Sequence, residues 1–124
     1  MRNFVLLSIF IFSLLSCSTK PEDTMLNALL LTGNDHPSHN WEETSPAIKE
    51  ILEKDSAVAV TLTRNPNRLT TLDIESYDFL VLNFCNWEDP EGLSDAAKNG
   101  LLDYLNQGGG LLVLHFSSGA FHPS

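Results

Sequence analysis

Four short apolar segments, separated by polar or amphipathic stretches, dominate the pattern of the chain and predict four buried strands. Runs of this length that end at turn-forming residues are typical of strands covered on both faces of a sheet. The segment at residues 57–63 is the clearest, because its Val and Thr residues favour extended backbone. The first segment is rich in Leu instead, so a helix is the alternative there, although the Gly33 that stops it favours a strand. The predicted strands cover residues 25–33, 57–63, 79–83 and 111–115.

Two stretches between these strands have the spacing of amphipathic helices. Ser45 and Pro46 are expected to begin the first, because Ser is a preferred N-cap and Pro suits the first helical position. Ser94 is expected to cap the second, and the glycines at residues 108–110 to end it. The remaining connections are a predicted loop at residues 64–68 and a short helical turn at residues 70–77.

This order of strands and helices predicts an α/β fold. Strands that alternate with helices imply right-handed crossovers and a parallel sheet that helices cover on both faces. The chain has 124 residues, which is enough for one domain at most.

The charge of the chain excludes one class of partner. Sixteen acidic residues face seven Lys and Arg, which gives a formal net charge of −9 with His neutral. Proteins that bind nucleic acid need clustered Lys and Arg for phosphate contacts, and the chain has no such cluster. No nucleic-acid partner is therefore expected.

The N-terminal residues predict export and lipidation. A positive charge precedes an apolar run at residues 4–15, which is shorter than the roughly 20 residues that span a membrane and fits a secretory signal. The following Leu14-Leu15-Ser16-Cys17 resembles a bacterial lipobox. This implies a signal peptide at residues 1–16, a lipid on Cys17, a tether at residues 17–25 and anchoring in the cell envelope, on the periplasmic side of the outer membrane in a diderm host. An ordinary signal peptide with a chance Cys is the alternative.

Several segments beyond this leader resemble the trehalose-utilisation (ThuA-like) family. They are Thr32-Gly33, His39-Asn40-Trp41, residues 44–52, residues 77–83 and, most specific, residues 108–121 with their Gly-Gly-Gly, apolar run and His. The resemblance implies a class I glutamine amidotransferase-like, flavodoxin-like three-layer α/β/α sandwich. It also implies a link to sugar metabolism through an undefined reaction. Residues 26–124 match only the N-terminal part of the family's domain, so the domain is expected to be truncated after the fourth strand.

The expected strand order of 2-1-3-4 predicts where a ligand would bind. Ligands of open parallel sheets bind beyond the carboxyl ends of the strands, where the strand order reverses, here between the first and third strands. Three loops meet there, at residues 33–43, 84–93 and 115–122, and they contain all four His, both Trp and Cys85. The alternative is that these residue types lie in loops simply because loops are polar.

His115 and Ser117 are the candidate catalytic residues. His115 ends the fourth predicted strand, where it could be a base, a ligand or a His satisfied by backbone. Ser117 has the position of a nucleophile elbow between a strand and a predicted helix, where amidotransferases of the superfamily have Cys. Because no His–acid partner follows Ser117, glutamine amidotransferase activity is not expected.

Further residues of the loops are predicted to bind a sugar or a metal ion. A Trp ring offers a flat apolar wall to a sugar, and a backbone N–H at the start of a helix could hold a hydroxyl or an oxyanion. The ligand candidates are His39, Trp41, Asn83, Trp87 and Gly119. No cofactor is expected, although a divalent metal could bind Asp35, His36 and His39, since zinc takes imidazole and carboxylate ligands. Packing within the loops is the alternative for both sets.

The sequence therefore predicts an envelope-anchored protein of carbohydrate utilisation, with a sugar or another small molecule as its partner. A non-catalytic sugar-binding or interaction module on the same fold is the first alternative, and an inactive truncated fragment is the second. Residues 111–114 are apolar on both faces and would lack cover on part of their surface at the end of a truncated sheet. Poor solubility or oligomerisation is therefore also expected.

Replacing Cys17 by Ser should abolish lipid attachment, because the thiol carries the lipid. We expect radiolabelled palmitate to enter the wild-type protein in a bacterial host and not the Cys17→Ser variant, which should also be released or mislocalised. Cys85→Ser is the matched control and should keep the label. Equal labelling of Cys17→Ser and wild type would contradict the lipobox.

Overall fold

Four strands form a parallel sheet in the computed structural model, which describes residues 24–33, 38–70, 72–87 and 93–121. The strands are β1 (Leu26–Gly33), β2 (Val58–Thr63), β3 (Phe79–Phe84) and β4 (Gly110–Val113). They lie in the order β2-β1-β3-β4, and all three strand pairs are parallel. The predicted order is thus confirmed, and together with the helices between the strands it makes a flavodoxin-like α/β fold.

The two faces of the sheet carry separate apolar clusters, because side chains alternate along each strand. Helix α1 (Trp41–Glu53) covers one face and helix α2 (Asp95–Asn106) covers the other. The face under α1 is formed by Ala28, Leu30, Val60 and Val81. The face under α2 is formed by Leu29, Leu31, Leu80, Leu82 and Phe84. The central strand β1 is therefore buried on both faces from Ala28 onwards, as its apolar run predicts.

Helix α1 begins earlier than the predicted start at Ser45 and Pro46. Asn40 caps the helix, and its side chain accepts a hydrogen bond from the Glu43 N–H. Acidic side chains in the first turn, which begins at Trp41, add a favourable interaction with the helix dipole. The predicted start is wrong because this Asn with its following acids supplies a complete helix terminus, and Ser45 is left buried inside the helix.

Helix α2 begins and ends as predicted. The Ser94 hydroxyl caps it by accepting a hydrogen bond from the Ala97 N–H at 3.3 Å. Gly108 follows the last turn with a φ of 94°, a conformation that residues with a Cβ rarely adopt. The glycine run therefore ends the helix, and its last member, Gly110, begins β4.

The connection between β2 and β3 is more regular than predicted. Residues 64–68 were expected to form a loop, but a 3-10 helix covers Pro66–Thr70. Asn65 starts this helix, because its side chain accepts a hydrogen bond from the Asn67 N–H at 3.0 Å. A second 3-10 helix at Leu72–Ser76 agrees with the predicted helical turn.

Strand β4 is shorter than predicted and ends at Val113. The Leu114 N–H still donates to the Leu82 carbonyl at 3.0 Å. His115, which was expected to end the strand, has a φ of 41° and begins a third 3-10 helix, His115–Gly119. Extended backbone requires a negative φ, so the strand cannot continue through His115.

The two edges of the sheet differ. At β2, the Lys49 ammonium donates to the Val60 carbonyl, and the Glu53 carboxylate accepts from the Val60 N–H at 3.0 Å. Lys49 and Glu53 also pair at 2.7 Å. The hydrogen bond from the Lys49 ammonium is the main reason that the pKa of Glu53 lies below its ordinary value, and the hydrogen bond from the Val60 N–H adds to it, because both favour the charged carboxylate. At the other edge, the apolar residues 111–113 of β4 are exposed, as expected.

The N-terminal predictions lie outside the described residues. The signal peptide at residues 1–16 and most of the tether at residues 17–25 precede Thr24, where the description of the chain begins. Over the ranges that the structure does describe, no helix has both the length and the apolar character needed to cross a membrane. The lipid anchor and its boundaries stay predictions.

Replacing Gly100 by Ala should destabilise the domain although Ala suits helices better. Helix propensity alone favours Ala by about 1 kcal/mol, but a Cβ on Gly100 would collide with the backbone carbonyl oxygen of Leu69. We expect the free energy of unfolding, measured by urea denaturation, to fall by about 1–3 kcal/mol. Asn99→Ala, at the exposed neighbouring position, is the control and should not lower it. A stabilised Gly100→Ala variant would show that α2 does not approach this 3-10 helix so closely.

Candidate functional site

Buried hydroxyl and amide groups join the carboxyl ends of β1 and β3 to helix α1. The Asn83 side-chain nitrogen donates to Thr44 Oγ1 and to Ser45 Oγ, each at 3.0 Å. Ser45 Oγ also forms a hydrogen bond with Thr32 Oγ1 of β1. Every buried side-chain polar atom among the described residues has a partner, as expected for buried polar groups. Asn83, a predicted ligand residue, is thus buried and fixes α1 beside the edge of the sheet.

Two imidazole rings meet at this edge. The His39 ring, which precedes α1, stacks on the Phe116 ring, which follows β4, with centroids 3.7 Å and planes 6° apart. The centroid of the His115 ring lies 5.3 Å from that of His39. The stack joins the first and the last of the three predicted loops. His115 itself is exposed, so its imidazole is accessible from solvent.

Ser117 is not presented to solvent as an elbow nucleophile would be. Its side chain is 3% exposed, and its Oγ accepts a hydrogen bond from the Phe84 N–H at 2.9 Å. The residue of this strand-to-helix turn with a positive φ is His115, at 41°. Such strain is uncommon outside glycine and clusters at functional sites. The turn therefore presents His115 to solvent. A nucleophilic role of Ser117 stays a prediction, and the burial of its hydroxyl does not favour it.

The indole of Trp87 is exposed but held in place. The side chain is 54% exposed, and its Nε1 donates to the Gly119 carbonyl at 2.8 Å. A Cβ on Gly119 would come within 2.8 Å of the same ring. Next to it, the Asn86 side-chain oxygen accepts a hydrogen bond from the Phe121 N–H at 2.8 Å. Two of the predicted ligand residues, Trp87 and Gly119, thus lie together, and Gly119 positions the ring.

Trp41 has a cation over its ring. The Arg64 guanidinium, directly after β2, lies 4.4 Å from the ring centroid. An arginine over an indole face is attracted by the ring quadrupole. One face of the Trp41 ring is therefore occupied within the chain, which leaves Trp87 as the more accessible of the two indoles.

The predicted metal ligands are only partly described. Asp35 and His36 lie outside the described residues, and His39 stacks on Phe116. Within the described part of the chain, no three His, Cys, Asp or Glu side chains lie close enough to hold a metal ion. A divalent metal at these three residues stays a prediction.

Phe116 and Arg64 contribute to this edge without having been predicted from the sequence. Phe116 continues an apolar block, which is typical of a core residue, and Arg64 opens a polar loop, which is typical of a solvated residue. Both follow the carboxyl end of a strand, and residues at such positions meet at one edge of a parallel sheet. Their position just after a strand, rather than their residue type, was the sequence signal that could have identified them.

Replacing Gly119 by Ala should displace the Trp87 indole, because the new methyl group would overlap the ring. In a Trp41→Phe background, where Trp87 is the sole tryptophan, we expect a red-shifted emission maximum and stronger acrylamide quenching. Loss of the indole hydrogen bond should cost about 0.5–1.5 kcal/mol of stability. Ser118→Ala, at the exposed neighbouring residue, should leave emission unchanged. Unaltered emission in Gly119→Ala would contradict the close contact between Gly119 and the Trp87 ring.

Comparison with known proteins identifies the family. A family model described as trehalose utilisation (ThuA) matches residues 27–123, which include the whole sheet except Leu26 and both imidazoles of the site. No curated protein and no solved structure gave a significant match. Because the family model covers well over half of the 124 residues, the chain belongs to the trehalose-utilisation family, and this membership implies in general terms a role in trehalose utilisation.

Proposed function

We propose that the carboxyl edge of the sheet binds a trehalose-type sugar, with the Trp87 indole as the platform and His115 and His39 as hydrogen-bonding groups. The observation that carries this proposal is that Trp87 is more than half exposed while its Nε1 is fixed by the Gly119 carbonyl. An exposed aromatic ring held in one orientation offers a flat apolar surface at little further cost in conformational entropy.

The chemistry of sugars suits this arrangement. A pyranose ring has an apolar face of C–H groups and a rim of hydroxyl groups. The apolar face can pack on an indole, while the rim needs donors and acceptors nearby. A neutral imidazole offers one of each, and the rings of His115 and His39 lie 5.3 Å apart. Family membership favours trehalose as the first sugar to test.

His115 is the residue best placed for a chemical step on such a sugar. Its imidazole is exposed, it has a strained backbone, and it could accept a proton from a hydroxyl group as a general base. Ser117 supports a covalent mechanism poorly, because its hydroxyl is buried and bonded to the Phe84 N–H. A step at this site would thus be proton transfer rather than attack by serine.

Sugar binding without turnover is the second candidate function. A catalytic imidazole is usually oriented by a third group such as a carboxylate. Among the described residues, the His115 ring contacts the rings of His39 and Phe116, and neither of these is a carboxylate that could orient it. A shift of the melting temperature by trehalose without release of product would favour this second function.

Titration with trehalose in an isothermal calorimeter tests the site. We expect Trp87→Ala and His115→Ala each to weaken binding about tenfold or more, which corresponds to about 1.4 kcal/mol. Ile51→Ala is the matched control, because Ile51 is an exposed apolar residue near the other end of α1. It should bind like wild type.

A competition experiment and the contrary outcomes of the titration distinguish a sugar site at this edge from one elsewhere on the protein. Sorbitol, a polyol without a ring to stack, should not compete with trehalose. Loss of binding in Ile51→Ala to the same degree as in Trp87→Ala, or unchanged binding in both site variants, would place any sugar site away from the carboxyl edge.

We also propose that a lipid on Cys17 holds the protein in the cell envelope. The lipobox-like Leu14-Leu15-Ser16-Cys17 supports this anchor. Electrostatic attachment to anionic lipids is disfavoured by the net charge of −9, so the lipid would supply the membrane affinity. Such an anchor would place the sugar site outside the cytoplasm.

A further inference from the structure

One guanidinium at the carboxyl edge of the sheet is held in place by its neighbours. Arg64 directly follows β2, and its guanidinium lies 4.4 Å from the centroid of the Trp41 ring. The side chain also crosses the end of β1, because a Cβ built on Gly33 would lie 3.7 Å from Arg64 Cβ, Cγ and Nε. The indole and the glycine backbone therefore restrict a charged side chain that is exposed to solvent.

The charge of Arg64 is not balanced by a carboxylate within the described residues. The one ion pair that the described ranges contain joins Lys49 and Glu53. Glu42 and Glu43, which follow Trp41 in the first turn of α1, are exposed and form no ion pair with Arg64. A guanidinium donates in its own plane, so contact of its face with an aromatic ring leaves the N–H groups able to donate. Arg64 can thus donate to a group from outside the chain.

Arg64 lies where ligands of open parallel sheets bind. The strand order reverses between β1 and β3, and Gly33, which Arg64 crosses, is the last residue of β1. Two strand spacings, about 10 Å, separate β2 from β3. Trp87 follows β3 closely in the chain, just as Arg64 follows β2. A disaccharide is about as long as this separation, so a sugar that packs on the Trp87 indole would extend towards Arg64.

We propose that Arg64 binds an anionic group of the sugar, a phosphate or a carboxylate, and makes the site selective for charged over neutral sugars. This inference rests on the proposed sugar site and defines the class of its ligand. The guanidinium presents paired N–H donors in a fixed fork that matches the oxygens of both anions. A chain of net charge −9 repels anions in general, so selectivity for an anion needs a local cation such as Arg64.

Calorimetric titration of the full chain with trehalose and with trehalose 6-phosphate tests this selectivity. We expect wild-type protein to bind the phosphate about fivefold more tightly, or better, at low salt, and the preference to shrink as salt is added. Arg64→Gln should bring the ratio of the two affinities close to unity. Arg64→Lys should keep only part of the preference, because lysine retains the charge without the fork.

Lys54→Gln is the matched control for Arg64→Gln. It removes the same positive charge from an exposed residue, but Lys54 caps the C-terminal end of α1, away from Trp41 in the first turn. The net charge of the two variants is therefore equal, and only the position of the lost charge differs. Lys54→Gln should keep the preference of wild type.

Glucuronate distinguishes the two anionic groups. If Arg64 binds either anion, glucuronate should bind more tightly than glucose, and Arg64→Gln should remove this difference as well. A preference that is present for trehalose 6-phosphate and absent for glucuronate would identify phosphate as the group that Arg64 binds.

The emission of Trp41 reports on Arg64 without requiring a sugar on Trp87. In a Trp87→Phe background, Trp41 is the sole tryptophan. We expect inorganic phosphate to change its emission in a saturable way, because the anion would bind the guanidinium that lies over the indole. Adding Lys54→Gln should leave this change intact, and adding Arg64→Gln should abolish it.

Two results would overturn the inference. They are equal affinities of wild-type protein for trehalose and its phosphate, and a preference for the phosphate that Arg64→Gln retains. Failure of the proposed function would look different, as trehalose binding that neither Trp87→Ala nor His115→Ala weakens. If wild-type protein binds no sugar, the emission of Trp41 decides, since a phosphate response that needs Arg64 supports the anion site and its absence refutes it.

Discussion

The buried amide of Asn83 is the interaction on which the geometry of the site depends. A side-chain amide inside a protein must form hydrogen bonds, or its burial costs free energy. The partners of Asn83 are Thr44 and Ser45 of α1, and Ser45 is bonded in turn to Thr32 of β1. The helix can therefore begin only where the ends of these two strands meet. His39, just before the helix, is brought to the same edge and can stack on Phe116.

The fold could be predicted from the sequence largely because its strands are continuous apolar runs. Burial on both faces removes the alternation of apolar and polar residues that half-exposed strands show. The continuous apolar runs that result are typical of strands in a parallel sheet. The resemblance to the family supplied the strand order. Helix termini were harder to predict, because Asn40 and Ser45 are both residue types that cap helices well. Asn40 is the N-cap, whereas the hydroxyl of Ser45 is buried and bonded to Asn83.

The site was harder to predict than the fold, because its contacts join residues that are far apart in the chain. Trp87 and Gly119 are 32 residues apart, and Ser117 lies 33 residues from Phe84, whose N–H donates to its hydroxyl. No local pattern shows that Ser117 turns inward while His115 turns outward. The 3-10 helix His115–Gly119 presents, at residues 115, 116, 117 and 119, an imidazole, a stacking ring, a buried hydroxyl and a carbonyl that holds Trp87. A small shift of this helix would move all of them together.

The central position of β1 has a consequence for how the chain folds during synthesis. This strand leaves the ribosome before its neighbours, yet it pairs with β2 on one side and β3 on the other. Its last six residues are buried in the finished domain, and none of their partners exists when they are first exposed. A Leu-rich, uncharged segment that waits for distant partners is prone to aggregation. The core around β1 can therefore close on both faces only after the helix at Asp95–Asn106 has also been made, because that helix covers the second face of the strand.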